Sequence, residues 1–183
     1  MNRGVHLWHM DMHRIYARFA KTLLLISALL VMHGGVASAQ PIQEIKTVDL
    51  DWYKKLVSNS NDTTYVIKFW ATWCVPCVAE IPYFEKLREK YRSQKIRVVL
   101  LSLDNMKELD TKLIPFVVKK GINSEVYLFA QKGLDWIDEV DSRWTGAIPF
   151  TLIINNKRQK RVVLEKEISF AELDSEIKKT ISK

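Results

Sequence analysis

The sequence predicts an α/β fold with a mixed central sheet, helices on both faces, and a C-terminal β-hairpin followed by a helix. Three observations lead there. Between residues 65 and 140, short β-branched and aromatic runs alternate with segments whose apolar residues recur every three or four positions. The run Ile96-Arg97-Val98-Val99-Leu100-Leu101-Ser102-Leu103 is almost continuously apolar, as suits a strand covered on both faces. Near the C-terminus, two more β-like runs flank the turn Asn155-Asn156-Lys157, which folds them into an antiparallel hairpin. Strands joined by helices imply parallel crossovers, so parallel and antiparallel pairs share one sheet.

Each element has its own local reason. Residues 41–47 read as a polar lead-in. Asp49 is placed to cap a helix from Leu50 to Val57, with Leu50, Tyr53, Leu56 and Val57 at helical spacing. Ser58-Asn59-Ser60-Asn61-Asp62 is a turn cluster, and Tyr65-Val66-Ile67-Lys68-Phe69-Trp70 a strand. Val78, Ile81, Phe84, Leu87 and Tyr91 mark the next helix, which Pro82 should kink. After the strand at 96–103, a helix is expected over about 105–120 with a bend or break at Pro115. A short strand at 125–129 and a short helix at 134–140 follow. The hairpin pairs 150–154 with 161–165. Ser169 caps a final helix carrying Phe170, Leu173, Ile177 and Ile181, with Glu172 three residues on completing a capping box.

The 183 residues suffice for one domain with a proper core. Of the formal net charge of +7, residues 1–39 carry +3 and the remainder +4, spread among many Lys and Glu neighbours. That is a solvated surface, not a nucleic-acid footprint. Arg14, Arg18 and Lys21 precede the apolar stretch from Thr22 to Met32, and Ala37-Ser38-Ala39 then forms a cleavage pattern before Gln40. Residues 1–39 are therefore assigned as a signal peptide and 40–183 as the domain, with an uncleaved anchor as the alternative. All four histidines lie within residues 1–39. Residues 40–183 thus contain no Ser-His or Cys-His pair and no histidine metal ligand, and two cysteines cannot make the usual four-ligand zinc site.

What remains for chemistry is Cys74 and Cys77. They follow a strand and open a helix, where unpaired backbone N–H groups and a partial positive charge stabilise a thiolate, the attacking species in thiol–disulfide exchange. Two cysteines this close do not read as a structural staple, which would close a longer loop. A metal-binding module using the two sulfurs is the alternative. Such sites recruit nearby methionine or histidine, and residues 40–183 offer only Met106.

Phe69-Trp70-Ala71-Thr72-Trp73-Cys74-Val75-Pro76-Cys77 after a strand, with Gly146-Ala147-Ile148-Pro149-Phe150-Thr151 before the hairpin, resembles the thioredoxin superfamily over roughly residues 48–182. Glu80-Ile81-Pro82, the export-like segment and the extra αβ segment near 104–128 are most similar to its TlpA/ResA-type members. The resemblance implies a thioredoxin-like fold and a protein-disulfide oxidoreductase with no cofactor beyond its own redox-active disulfide. Cys74 would attack and Cys77 would resolve. Pro149, in the cis form, and Ile148 would hold an extended partner chain. Pro76 would stiffen the turn, and Trp73 and Trp144 would line the partner groove, while Trp70 belongs to the core.

Glu80 lies one helical turn beyond Cys77; the resemblance implies that it is a buried acid/base near the cysteines, and a helix-surface carboxylate is the alternative. Lys68 departs from the family, which carries an acid or a neutral polar residue there. It either pairs with Glu80 or snorkels to the sheet edge. The implied partners are disulfide-bearing envelope proteins, apocytochrome c among them, and a membrane electron donor, in the periplasm or at the outer face of the bacterial membrane. A thiol peroxidase on this fold would need Thr-x-x-Cys, whereas Thr72 stands only two residues before Cys74.

Overall fold

Seven consecutive buried residues, Thr64–Trp70, form the strand around which the molecule is layered. The structure, a computed structural model, describes residues 44–131 and 133–182. The assigned signal segment, residues 1–39, lies outside the described residues. In chain order the elements are β1 (Lys46–Val48), α1 (Leu50–Val57), β2 (Thr64–Trp70), α2 (Val75–Lys90), β3 (Ile96–Ser102), a 3-10 turn (Met106–Glu108), a π-type turn (Leu109–Leu113), α3 (Ile114–Lys120), β4 (Glu125–Phe129), α4 (Trp136–Val140), β5 (Phe150–Asn155), β6 (Lys160–Leu164) and α5 (Phe170–Ile181).

The sheet order is β1-β4-β3-β2-β5-β6. β1 runs parallel to β4, β4 to β3 and β3 to β2, whereas β5 is antiparallel to both β2 and β6. The mixed sheet is thus as expected. Alternation along β2 divides the core. Val66 and Trp70 point to a cluster that includes Ile81, Phe84 and Leu87 of α2, Val117 of α3 and Leu173 and Ile177 of α5. Tyr65, Ile67 and Phe69 point the other way, to Tyr53 of α1, Phe129, Val140, Trp144 and Phe150. Period-two alternation on a central strand requires this split.

Local signals fixed several boundaries. Asp49 caps α1 by accepting from the Trp52 amide at 2.9 Å, and Ser169 caps α5 by accepting from the Glu172 amide at 3.2 Å. The Glu172 carboxylate pairs with Lys166 at 2.7 Å. α2 runs continuously from Val75 to Lys90 through Pro82.

Two expectations are corrected. The lead-in ahead of α1 contains a strand, β1, whose backbone bonds to β4 hold it although only its last residue, Val48, is buried. The segment at 105–120 is not one helix. It passes through a 3-10 and a π-type turn, and Pro115 then sits in the first turn of α3, where its missing N–H costs nothing.

The C-terminal ends of β2, β3 and β4 and the N-terminal end of β5 share one edge of the sheet, because Phe69 stands opposite Phe150 and Trp70 opposite Ser102. The loops that follow or precede those ends therefore converge.

Candidate active site

Cys74 is the N-cap of α2 and Cys77 lies in its first turn. Their sulfurs are bonded to each other, with Cα atoms 5.3 Å apart. The Cys74 amide donates to the Ala71 carbonyl at 3.1 Å, and the Cys74 carbonyl accepts from Val78 at 3.0 Å, so the turn enters the helix without a gap. The Cys77 amide donates to the Cys74 sulfur at 3.3 Å. A helix N-terminus thus places an N–H donor on the sulfur that would carry charge.

Cys74 is 6 % exposed and Cys77 is fully covered. The outer sulfur is more sheltered than the partly open position expected from sequence, yet it remains the accessible one of the two. Beside it Trp73 is 60 % exposed and Val75 is also exposed, which leaves an apolar rim around the disulfide. Trp70 is buried in the core, as expected.

The Ile148–Pro149 peptide bond is cis. Pro149 is buried one residue beyond the β2–β5 ladder, at the level of the chain leading to Cys74. Ile148 is half-buried and packs against both core clusters, one of which contains Cys74 and Cys77. Gly146 opens this loop with φ +92°, and a Cβ there would meet Ile137 at 2.7 Å, so the position requires glycine.

Trp144 is 2 % exposed and stacks on Phe150. Its indole N–H donates to the Ala147 carbonyl at 2.7 Å. It therefore braces the loop from inside and does not line a partner groove, because its ring completes the aromatic cluster of Phe69, Trp136 and Phe150.

Between β2 and α2, Lys68 is fully buried and donates to Oε2 of Glu80, itself 3 % exposed on α2. The other oxygen, Oε1, accepts from the Ile168 backbone N–H. The pairing alternative for Lys68 therefore holds, and the snorkelling one does not. Burial pushes the Lys68 ammonium below the ordinary lysine range, while the charge and hydrogen bond of Glu80 pull it back up. The Lys68 nitrogen also sits 4.8 Å from the centre of the Phe84 ring.

Two carboxylates that sequence reasoning did not single out hold the converging loops. Asp104, buried just past β3, accepts from the Thr72 amide at 3.0 Å, the Thr72 hydroxyl at 2.5 Å and the Ser102 hydroxyl at 2.7 Å. It ties down Thr72, two residues before Cys74. Glu165, just past β6, accepts from the amides of Thr145 and Ala147, each at 3.2 Å, and from the Thr145 hydroxyl. It ties down the loop before Pro149. The bonds that reach the converging loops have no local sequence signature, since Thr72 is 32 residues from Asp104 and the groups on Glu165 are 18 to 20 residues away. Among the described residues no group of three or more His, Cys, Asp or Glu side chains is placed to hold a metal ion.

Comparison with known proteins agrees with this geometry. A sequence model of the Redoxin family matches residues 37–159. The chain is 34 % identical over 71 residues to thiol-disulfide oxidoreductase ResA of Oceanobacillus iheyensis, a match covering 38 % of this chain and 37 % of that protein. It is 27 % identical over 128 residues to ResA of Bacillus cereus, covering 61 % and 73 % respectively. The chain thus spans little more than a third of the first relative's length.

The fold is shared with solved structures. The thiol:disulfide interchange protein of Chlorobium tepidum superposes with a TM-score of 0.55 at 24 % identity, covering 66 % of this chain and 81 % of that one. A thioredoxin-related protein of Neisseria meningitidis gives 0.58 at 20 % identity, covering 69 % and 91 %.

Proposed function

The chain belongs to the redoxin family of the thioredoxin superfamily, and from that premise we propose that it is a thiol–disulfide oxidoreductase exchanging its Cys74–Cys77 couple with disulfides of partner proteins. The observation that carries this reading is the Cys74–Cys77 bond at the leading end of α2, with the Cys74 sulfur on the Cys77 amide.

In the reductive direction, the Cys74 thiolate attacks a partner disulfide. A Cys74–partner bond forms, the partner's own S–S bond breaks, and its second sulfur leaves with the electron pair and takes a proton. Cys77 then gives its proton to Glu80 and attacks the Cys74 sulfur. The Cys74–Cys77 bond forms, the Cys74–partner bond breaks, and the partner's first sulfur leaves as a thiolate to be protonated in turn. Two electrons have passed to the partner, and the cysteine pair ends oxidised. Ile148 and Pro149 hold the backbone of the incoming chain, Trp73 offers it an apolar contact, and Pro76 stiffens the turn between the sulfurs.

The working direction in this reading is reduction, outside the cytoplasmic membrane. Its clients are disulfide-bearing envelope proteins, apocytochrome c among them, and electrons come from a membrane donor protein. The basic-then-apolar N-terminal pattern ending in Ala37-Ser38-Ala39 supports export, and the ResA name of two relatives supports thiol–disulfide exchange.

Trapping tests the reading. A Cys77→Ala variant should accumulate partner proteins on Cys74 as mixed disulfides released by dithiothreitol, and Cys74→Ser should trap none. Equal recovery from both variants contradicts it.

A further inference from the structure

The exchange described above gives the buried Lys68 no task. Lys68 lies in the middle of the central strand, its side chain on the same face as Val66 and Trp70 and therefore among the residues that pack with Cys74 and Cys77. No part of it reaches solvent. From α2 it is met by Glu80 and by the Phe84 ring. From β5 the residue opposite is Thr151, two beyond Pro149, whose buried hydroxyl has no hydrogen-bond partner among the described residues. From the chain entering α5, the Ile168 N–H completes the Glu80 carboxylate. A lone buried carboxylate would carry the cost of an unpaired charge. Lys68 removes that cost, and it does so for the carboxylate one turn beyond the resolving cysteine.

We propose that Lys68 is a positioning residue for the resolving step: its ammonium holds the Glu80 carboxylate in place, so that it can receive the Cys77 proton when Cys77 attacks the mixed disulfide. This rests on the reading of Glu80 as the acid/base in that step. Lys68 itself neither gives nor takes a proton in the cycle. The proton moves from Cys77 Sγ to Glu80 and passes on after the partner thiolate has left.

The test separates the two thiol steps on one sample. The reduced full chain is mixed with 5,5′-dithiobis(2-nitrobenzoate) in a stopped-flow instrument. The first thionitrobenzoate released reports attack by Cys74, and the second reports attack by Cys77 on the Cys74 adduct. Lys68→Met should slow the second release roughly tenfold or more and leave the first within about twofold. Glu80→Gln should do the same, and the double variant should be no slower than Glu80→Gln alone, because Lys68 acts through Glu80. Lys68→Gln, which removes the charge but keeps a donor, covers the case in which the methionine variant does not fold, and should show the same slow second release.

A second release of parental rate in a folded Lys68 variant overturns the proposal. So does equal slowing of both releases, which marks a merely structural role, or a double variant slower by the product of the two single effects. If Glu80→Gln itself resolves at the parental rate, the acid/base reading fails first and takes this proposal with it. A slow Glu80→Gln beside a parental Lys68→Met rejects the role of Lys68 alone.

Discussion

The backbone amide of Cys77 donates to the Cys74 sulfur across 3.3 Å, inside the first turn of α2. A thiolate accepts such a bond better than a disulfide sulfur does, so opening the disulfide favours charge on Cys74. Cys77 is fully covered and so less open to a reagent. Partial alkylation of the reduced protein with iodoacetamide at neutral pH should therefore label Cys74 roughly tenfold faster than Cys77. Peptide mass mapping reads the ratio, and equal labelling or a preference for Cys77 contradicts the assignment.

Asp104 gathers Thr72 and Ser102 into one buried network ahead of Cys74. Truncation to alanine strands three donors. Bonds to a charged acceptor are each worth about 1.5–3 kcal/mol and do not add. Asp104→Ala should accordingly lose about 3 kcal/mol in urea denaturation, and disulfide exchange should slow several-fold as the Thr72-Trp73 loop loosens. Asp104→Asn, which keeps part of the network, should fall between the two.

Glu165 plays the matching part for the loop before Pro149, but the groups it binds are exposed. Glu165→Ala should cost no more than about 1.5 kcal/mol. Its effect should appear in recognition: a raised KM for a protein disulfide substrate, with the rate toward a small aromatic disulfide unchanged. A loss confined to the small-molecule reaction would place Glu165 elsewhere in the mechanism.

Much of this arrangement was legible in the residues. The bounds of α1 follow from the Asp49 cap, those of β4 from a short apolar run between turns, and the cis proline from the resemblance carried by Gly146-Ala147-Ile148-Pro149. The Lys68–Glu80 pair was one of two readings open from spacing alone, and the packing of α2 on β2 decided it. What stayed hidden has physical causes. β1 is an edge strand of three residues with one inward side chain, too short for a period to show. The break in the 105–120 segment involves 3-10 and π-type turns that share much of the helical apolar spacing. Trp144 beside a redox loop looks like a groove residue until the aromatic cluster that encloses it is assembled. The bonds from Thr72 to Asp104 and from Thr145 to Glu165 span long sequence separations that no local pattern records.

Acid should weaken the molecule partly through Asp174, which joins α5 to α2. Hydrogen bonds from Lys90 and Lys178 hold its carboxyl well below the usual aspartate range, with the Tyr91 hydroxyl assisting and burial opposing. The native form therefore binds this proton less readily than the unfolded chain, in which aspartate titrates near ~3.9. The stabilisation is fully present above that value and is lost as pH falls from there toward the native value. Asp174→Asn should be less stable than the parent in urea at pH 7, and the gap should narrow at about pH 3. A gap of constant size would show that the charge is not what Asp174 contributes.

The measurement that bears most directly on the whole account is equilibration of the purified chain with graded mixtures of reduced and oxidised glutathione, quenched in acid and read by mass after alkylation. The account predicts one two-electron transition in which Cys74 and Cys77 gain and lose their mutual bond together, with the position of the midpoint setting the direction of flow, and predicts dithiothreitol-driven reduction of insulin that Cys74→Ser abolishes. A disulfide that stays closed under the most reducing mixture, or insulin reduction that survives in Cys74→Ser, contradicts it.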